Sequence, residues 1–152
     1  MITPVTAPAP VTAPAGFSPE DVELLRRAED ILGRVWVHGR HEVATALRAA
    51  DGSIHTGVHV EGSCRRSSIC AEGVALGTAR AAGIALGDVV SVVSVQIKPA
   101  DTFRIIAPCG VCRELISDYS PDATVWLTAP DTDEVIAVRA LDLLPEKSRR
   151  LW

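Results

Sequence analysis

Cys70-Ala71-Glu72-Gly73-Val74-Ala75-Leu76-Gly77-Thr78-Ala79, then Val89-Val90-Ser91-Val92-Val93-Ser94-Val95-Gln96-Ile97, then Pro108-Cys109-Gly110-Val111-Cys112: this run decides the fold. The Ala- and Leu-rich segment from Cys70 to Ala82 reads as a helix that stops near Gly83 or Gly87. The β-branched run from Val89 to Ile97 reads as a buried strand. Cys112 to Tyr119 reads as a short helix after a Pro-Cys-Gly turn. Helix, buried strand and helix in succession place both cysteine motifs at helix N-termini and bring them together at one end of a sheet, where α/β proteins form sites.

Working outward, Ser18-Pro19-Glu20-Asp21 is a helix start: a capping serine, a proline at the first helical position, and acids that suit the dipole. Val22, Leu24, Leu25, Ala28, Ile31 and Leu32 then form a helical stripe that ends near Gly33. His41–Ala49 and Ser53–Val60 read as two strands joined by a turn at Asp51-Gly52. Ala123–Ala129 and Val135–Val138 read as two more, and Leu141–Leu144 as the beginning of a C-terminal turn or short helix. The order predicts an α/β protein with a mixed sheet covered by helices. Residues 1–17, rich in Pro, Ala, Thr and Val, read as an extended or disordered tail, so residues 18–152 are expected to form the working domain.

Composition narrows the partners. The chain has 152 residues, a net charge of −4 and only 4% aromatic residues. It carries neither the basic stripe nor the stacking platforms that a nucleic-acid polymer requires, so a small-molecule substrate is expected. No segment is long and apolar enough to span a bilayer. Residues 1–17 lack the basic start and uninterrupted apolar run of a secretory leader. A reducing cytoplasm is therefore expected, where clustered thiols serve as metal ligands or catalytic groups more often than as disulfides.

Cys70, Cys109 and Cys112 supply three thiolates, and Glu72 supplies a carboxylate two residues after the first. Three protein ligands leave a tetrahedral zinc with an open fourth position, the arrangement of catalytic sites. A water there is acidified by the metal, and Glu72 is placed to move its protons. Two other readings compete. Cys64 as a fourth ligand would close the site and make it structural. A thioredoxin-like redox pair would use Cys109 and Cys112 but leave Cys70 and Glu72 unexplained.

Together with Ala50-Asp51-Gly52-Ser53-Ile54-His55-Thr56-Gly57-Val58 and Leu76-Gly77-Thr78-Ala79, these motifs resemble those of the zinc-dependent cytidine deaminases, more closely the small three-cysteine members of the blasticidin-S deaminase type. The resemblance extends from about Glu20 to the C-terminus. It implies a three-layer α/β/α sandwich with a five-stranded mixed sheet and one Zn²⁺ per chain on Cys70, Cys109 and Cys112, with Glu72 as the catalytic residue. It also implies a homotetramer, or a homodimer, with sites at subunit contacts. The implied reaction converts the exocyclic amine of a cytidine-like nucleoside (cytidine, deoxycytidine or a blasticidin-type nucleoside) to a carbonyl, releasing ammonia. The alternatives are a purine or pterin amine as substrate, or a non-catalytic zinc-binding module. The substrate positions implied are Glu61, His59, His41, Ala71 and, at the C-terminus, Trp152, which either closes over the base in a neighbouring site or packs the C-terminus onto the body.

The chain departs from the family pattern at several places. His59 stands where cytidine-type members carry asparagine, and His41 where many carry phenylalanine. Gly73 replaces a common arginine that pairs with the thiolates, and Glu114 a common glutamine. Arg65 and Arg66 are additional, and one of them reaching the site, to balance the thiolates or to bind an anionic substrate group, is one expectation. The other is that both are solvated loop charges.

Overall fold

The computed structural model describes residues 8–97 and 102–148. Trp152 lies outside the described residues. The elements are α1 (Pro19–Val35), β1 (Val43–Ala49), β2 (Ile54–Val58), α2 (Ala71–Ala81), β3 (Val89–Ile97), β4 (Phe103–Ile105), α3 (Gly110–Tyr119), β5 (Thr124–Thr128) and β6 (Val135–Arg139). The strands form one mixed sheet in the order β2-β1-β3-β5-β6, with β4 also paired to β3. β3 runs antiparallel to β1 and parallel to β5. Because β1 occupies one edge of β3 along nearly its whole length, β5 and β4 share the other edge. β5 pairs with Ser91–Val93 and β4 with Val95–Ile97.

Among the described residues the sheet thus has six strands where the sequence predicts five. The extra strand, β4, is three residues long and has no alternation to betray it. It forms because Phe103-Arg104-Ile105 finds the stretch of β3 edge that β5 leaves unpaired.

The three-layer sandwich is present. On one face, Leu24, Leu25, Ala28 and Leu32 of α1 pack on Ala44, Ala46, Val93 and Val95. On the other, Ala75, Leu76 and Ala79 of α2 and Cys112 and Ile116 of α3 pack on Leu47, Val92 and Val125. The α1 start forms as expected: Ser18 and Asp21 exchange side-chain and backbone hydrogen bonds in a capping box, with Pro19 in the first turn. The helix does not end at Gly33 but continues to Val35. Gly33 sits within the helix, with the Phe103 ring at an ordinary van der Waals distance of 3.6 Å from its Cβ position. The described part of the N-terminal tail is docked on the body. Glu29 Oε1 accepts from the Val11 N–H at 2.7 Å, Arg26 donates to the Val11 carbonyl at 2.8 Å, and the Phe17 ring lies 4.2 Å from that of Trp126. Among the described residues no helix is long and apolar enough to cross a membrane.

Two contacts position the site. Gly57 of β2 meets α2 backbone to backbone: a Cβ there would lie 2.3 Å from Ala75 N and 2.6 Å from Ala71 O. No side chain fits, and this close approach sets the start of α2 against the sheet. Gly57→Ala is therefore expected to lose about 3 kcal/mol or more of stability, the upper range for overpacking. Gly77→Ala, exposed on the same helix with nothing within 4 Å of its Cβ position, should hold or gain stability. Thermal melts of the two proteins check the contrast. At the other end, Lys147, its side chain 3% exposed, donates to Ser117 Oγ at 2.6 Å and pairs with Asp118 at 2.8 Å. This pins the C-terminal segment to α3.

Candidate active site

Cys70 and Cys109 are the N-cap residues of α2 and α3, both in extended conformation, and neither side chain caps its helix. Their sulfurs are therefore free to face each other across the gap between the two helix starts, 3.6 Å apart. Cys112, one turn into α3 and 1% exposed, completes the cluster. All three Sγ atoms lie within 4.8 Å of one another. Zinc–sulfur bonds of about 2.3 Å at tetrahedral angles place sulfurs roughly 3.8 Å apart, so the donor set fits that ion. Cys64 is exposed and stands outside the cluster.

The electrostatics call for a cation. Burial pushes the Cys112 thiol strongly up, and the Glu72 carboxylate and the other two sulfurs add to it. Burial and the hydrogen bond with Cys109 raise the Cys70 thiol. Burial also acts to raise Cys109, but hydrogen bonds outweigh it and the thiol is lowered. These come from the Cys112 backbone N–H, the Cys70 and Cys112 thiols and the Val111 backbone N–H. The protein alone thus disfavours the ionised forms of Cys70 and Cys112. A dication is what allows all three to ionise together.

Glu72 sits in the first turn of α2, 4% exposed. Its Oε1 accepts from Ser94 Oγ at 3.0 Å, and its Oε2 lies 3.4 Å from Cys112 Sγ. Together with Cys70, Ala71 and Cys109 it opens on a cavity of about 180 Å³, also lined by His59, Val43 and Ile106. That is smaller than the roughly 300–1,000 Å³ of drug-sized sites and suits a single ring.

His59, just past the end of β2, is at the cavity wall, and its Nε2 lies 3.1 Å from Glu61 Oε2. Glu61 Oε1 accepts from Ser68 Oγ at 3.0 Å, and Ser68 Oγ in turn accepts from the Gly62 N–H. The segment is closed by reciprocal backbone bonds between Val60 and Ile69, immediately before Cys70. The His59–Glu61 pair and the first thiolate therefore belong to one compact loop. The His41 ring does not line the cavity. Its Nδ1 lies 2.8 Å from the His59 carbonyl and anchors that residue from behind. Arg65 and Arg66 are exposed in a 3₁₀ turn, and among the described residues their side chains form no ion pair. Arg113 donates to the Pro108 carbonyl at 2.9 Å and to the Leu143 carbonyl at 3.3 Å, locking the turn before Cys109. With glycine at position 73, the backbone N–H groups at the two helix starts are left to offset the anionic cluster.

Sequence reasoning did not single out Val43, Ile106, Ser68, Thr45 or Ser94. Ser94 lies inside an apolar run that signals only a buried strand, and nothing local in the sequence marks its contact with Glu72.

A buried carboxylate beside three convergent thiolates in a small cavity defines a metal-dependent hydrolytic site. Comparison with known proteins specifies it. Residues 18–128 match the family model for the cytidine and deoxycytidylate deaminase zinc-binding region. The chain is 33% identical to the blasticidin-S deaminase of Bacillus cereus over 138 residues, 88% of this chain and 96% of that one. It is 34% identical over 109 residues to the cytidine deaminase of Halalkalibacterium halodurans, 71% of this chain and 77% of that one. Among solved structures, the cytidine deaminase of Burkholderia pseudomallei superposes with a TM-score of 0.68 at 30% identity, over 82% of this chain and 96% of that one. The chain belongs to the zinc-binding cytidine and deoxycytidylate deaminase family, whose members hydrolyse a C–N bond.

Proposed function

We propose that this protein hydrolyses the exocyclic amine of a cytosine nucleoside, with Cys70, Cys109 and Cys112 holding one zinc and Glu72 carrying the protons. The observation that carries this reading is the Glu72 carboxylate opening on the same small cavity as Cys70 and Cys109, with Cys112 Sγ 3.4 Å from its Oε2. When bound, the metal supplies a water made acidic enough to ionise near neutral pH. Glu72, with its Oε2 beside the sulfur cluster, would be the group that moves protons, first to the ring nitrogen next to the amine-bearing carbon and then to the amine, which would leave as ammonia while a water oxygen takes its place on that carbon. The product carries a carbonyl where the amine was.

His59 and Glu61 face the part of the substrate that extends out of the cavity, and Ala71 lines the ring site. A blasticidin-type nucleoside is the second reading. It is favoured by the 88% of the chain that aligns with the Bacillus cereus enzyme. A histidine at position 59 also offers different hydrogen bonding from an amide. Residues 18–152 form the catalytic domain in this account, and the protein works in the cytoplasm as a homotetramer. Val60, Ile69 and Val111, next in the chain to site residues, are exposed apolar side chains that subunit contacts would cover.

The test is ammonia release by zinc-loaded protein from cytidine, deoxycytidine, blasticidin S, guanine and adenosine. Turnover of cytidine or deoxycytidine supports the first reading, and of blasticidin S alone the second. Turnover of guanine or adenosine alone overturns both.

A further inference from the structure

Beneath Glu72, two hydroxyls stand side by side on an apolar sheet face. Thr45 of β1 and Ser94 of β3 are direct cross-strand partners, 0% and 3% exposed. Their neighbours two residues along on the same face are Leu47 and Val92, both in the core under α2 and α3. A buried hydroxyl is costly unless it is hydrogen-bonded. Thr45 Oγ1 and Ser94 Oγ are 2.7 Å apart, but one bond between them uses only one of their two protons. Among the described residues, the other has one acceptor in reach, Glu72 Oε1, 3.0 Å from Ser94 Oγ. A carboxylate only accepts, so the direction is fixed: Ser94 donates to Glu72, and Thr45 must donate to Ser94.

We infer that Ser94, backed by Thr45, is a positioning residue for the catalytic carboxylate, tethering Oε1 to the sheet and leaving Oε2 as the oxygen that handles protons. The inference rests on the role given above to Glu72. The tether joins a side chain at a helix start to the most buried strand of the sheet. It holds the carboxylate in one orientation beside the sulfur cluster. Neither hydroxyl lines the cavity, so neither touches substrate.

The experiment uses zinc-loaded Ser94→Ala, Thr45→Val and the double variant, with Glu72→Gln as reference. All are near-isosteric, and melting midpoints and zinc per chain confirm an intact fold and site. With Ser94→Ala, kcat is expected to fall about 10- to 100-fold, the range for losing a hydrogen bond to a charged group, while KM stays within about twofold. Thr45→Val should cost less, and the double variant should be no worse than Ser94→Ala, because Thr45 acts through Ser94. A crystal structure of Ser94→Ala should show the Glu72 carboxylate in more than one position. This readout stands even if no panel substrate is turned over. A single unchanged carboxylate position in Ser94→Ala, or unchanged kcat, would overturn the inference. Multiplying effects in the double variant would remove Thr45 from it. If Glu72→Gln is inactive while Ser94→Ala behaves as wild type, the tether alone fails. If Glu72→Gln is active, the proposed chemistry itself fails.

Discussion

Glu72→Gln is expected to keep one zinc per chain and to lose about 10²- to 10⁴-fold in kcat, the range contributed by a positioned general acid–base group. The substitution is close to isosteric, and the glutamine carbonyl can still accept from Ser94. Packing around this buried position, 4% exposed at the start of α2, is therefore preserved. What is lost is the ability to pick up and release a proton at Oε2. Zinc content measured beside the rate separates this outcome from simple loss of the metal. A Glu72→Gln protein with wild-type turnover would remove Glu72 from the mechanism.

Cys109→Ala has the second large effect. Two thiolates remain, one on Cys112, a residue that burial holds strongly to its neutral form without a cation. Zinc retention through dialysis is expected to fall below about a tenth of an equivalent, and turnover to fall below detection with it, since structural and catalytic zinc sites need at least three protein ligands. The melting midpoint should also drop, because metal binding stabilises the folded state only when the site can hold the metal. Cys64→Ala is the matched control. Its side chain is exposed and outside the cluster, so zinc, turnover and melting should be unchanged. Metal analysis and melts of the two proteins decide the matter. Zinc lost from Cys64→Ala would revive the closed, structural reading of the site.

The parts of this protein that were legible in its sequence are those with strong local patterns. The stripe from Leu24 to Leu32, the valine-rich run of β3 and the Asp51-Gly52 turn each carry their own signal. The cysteine motifs carry theirs in spacing alone, because two helix starts converge at one sheet end. The illegible parts depend on contacts between distant residues. β4 exists only because a stretch of β3 edge is left open beside β5. Gly33 reads as a stop, but the packing of α1 on the sheet carries the helix on to Val35. Thr45 and Ser94 are 49 residues apart and meet only through strand register. Ser68, which buttresses Glu61, looks like one more serine in a polar loop.

The most direct test of the account is X-ray absorption at the zinc edge of the loaded protein. The account predicts three sulfur neighbours per zinc, from Cys70, Cys109 and Cys112, with the remaining coordination made by lighter atoms. Four sulfurs per zinc would show a closed structural site and contradict it.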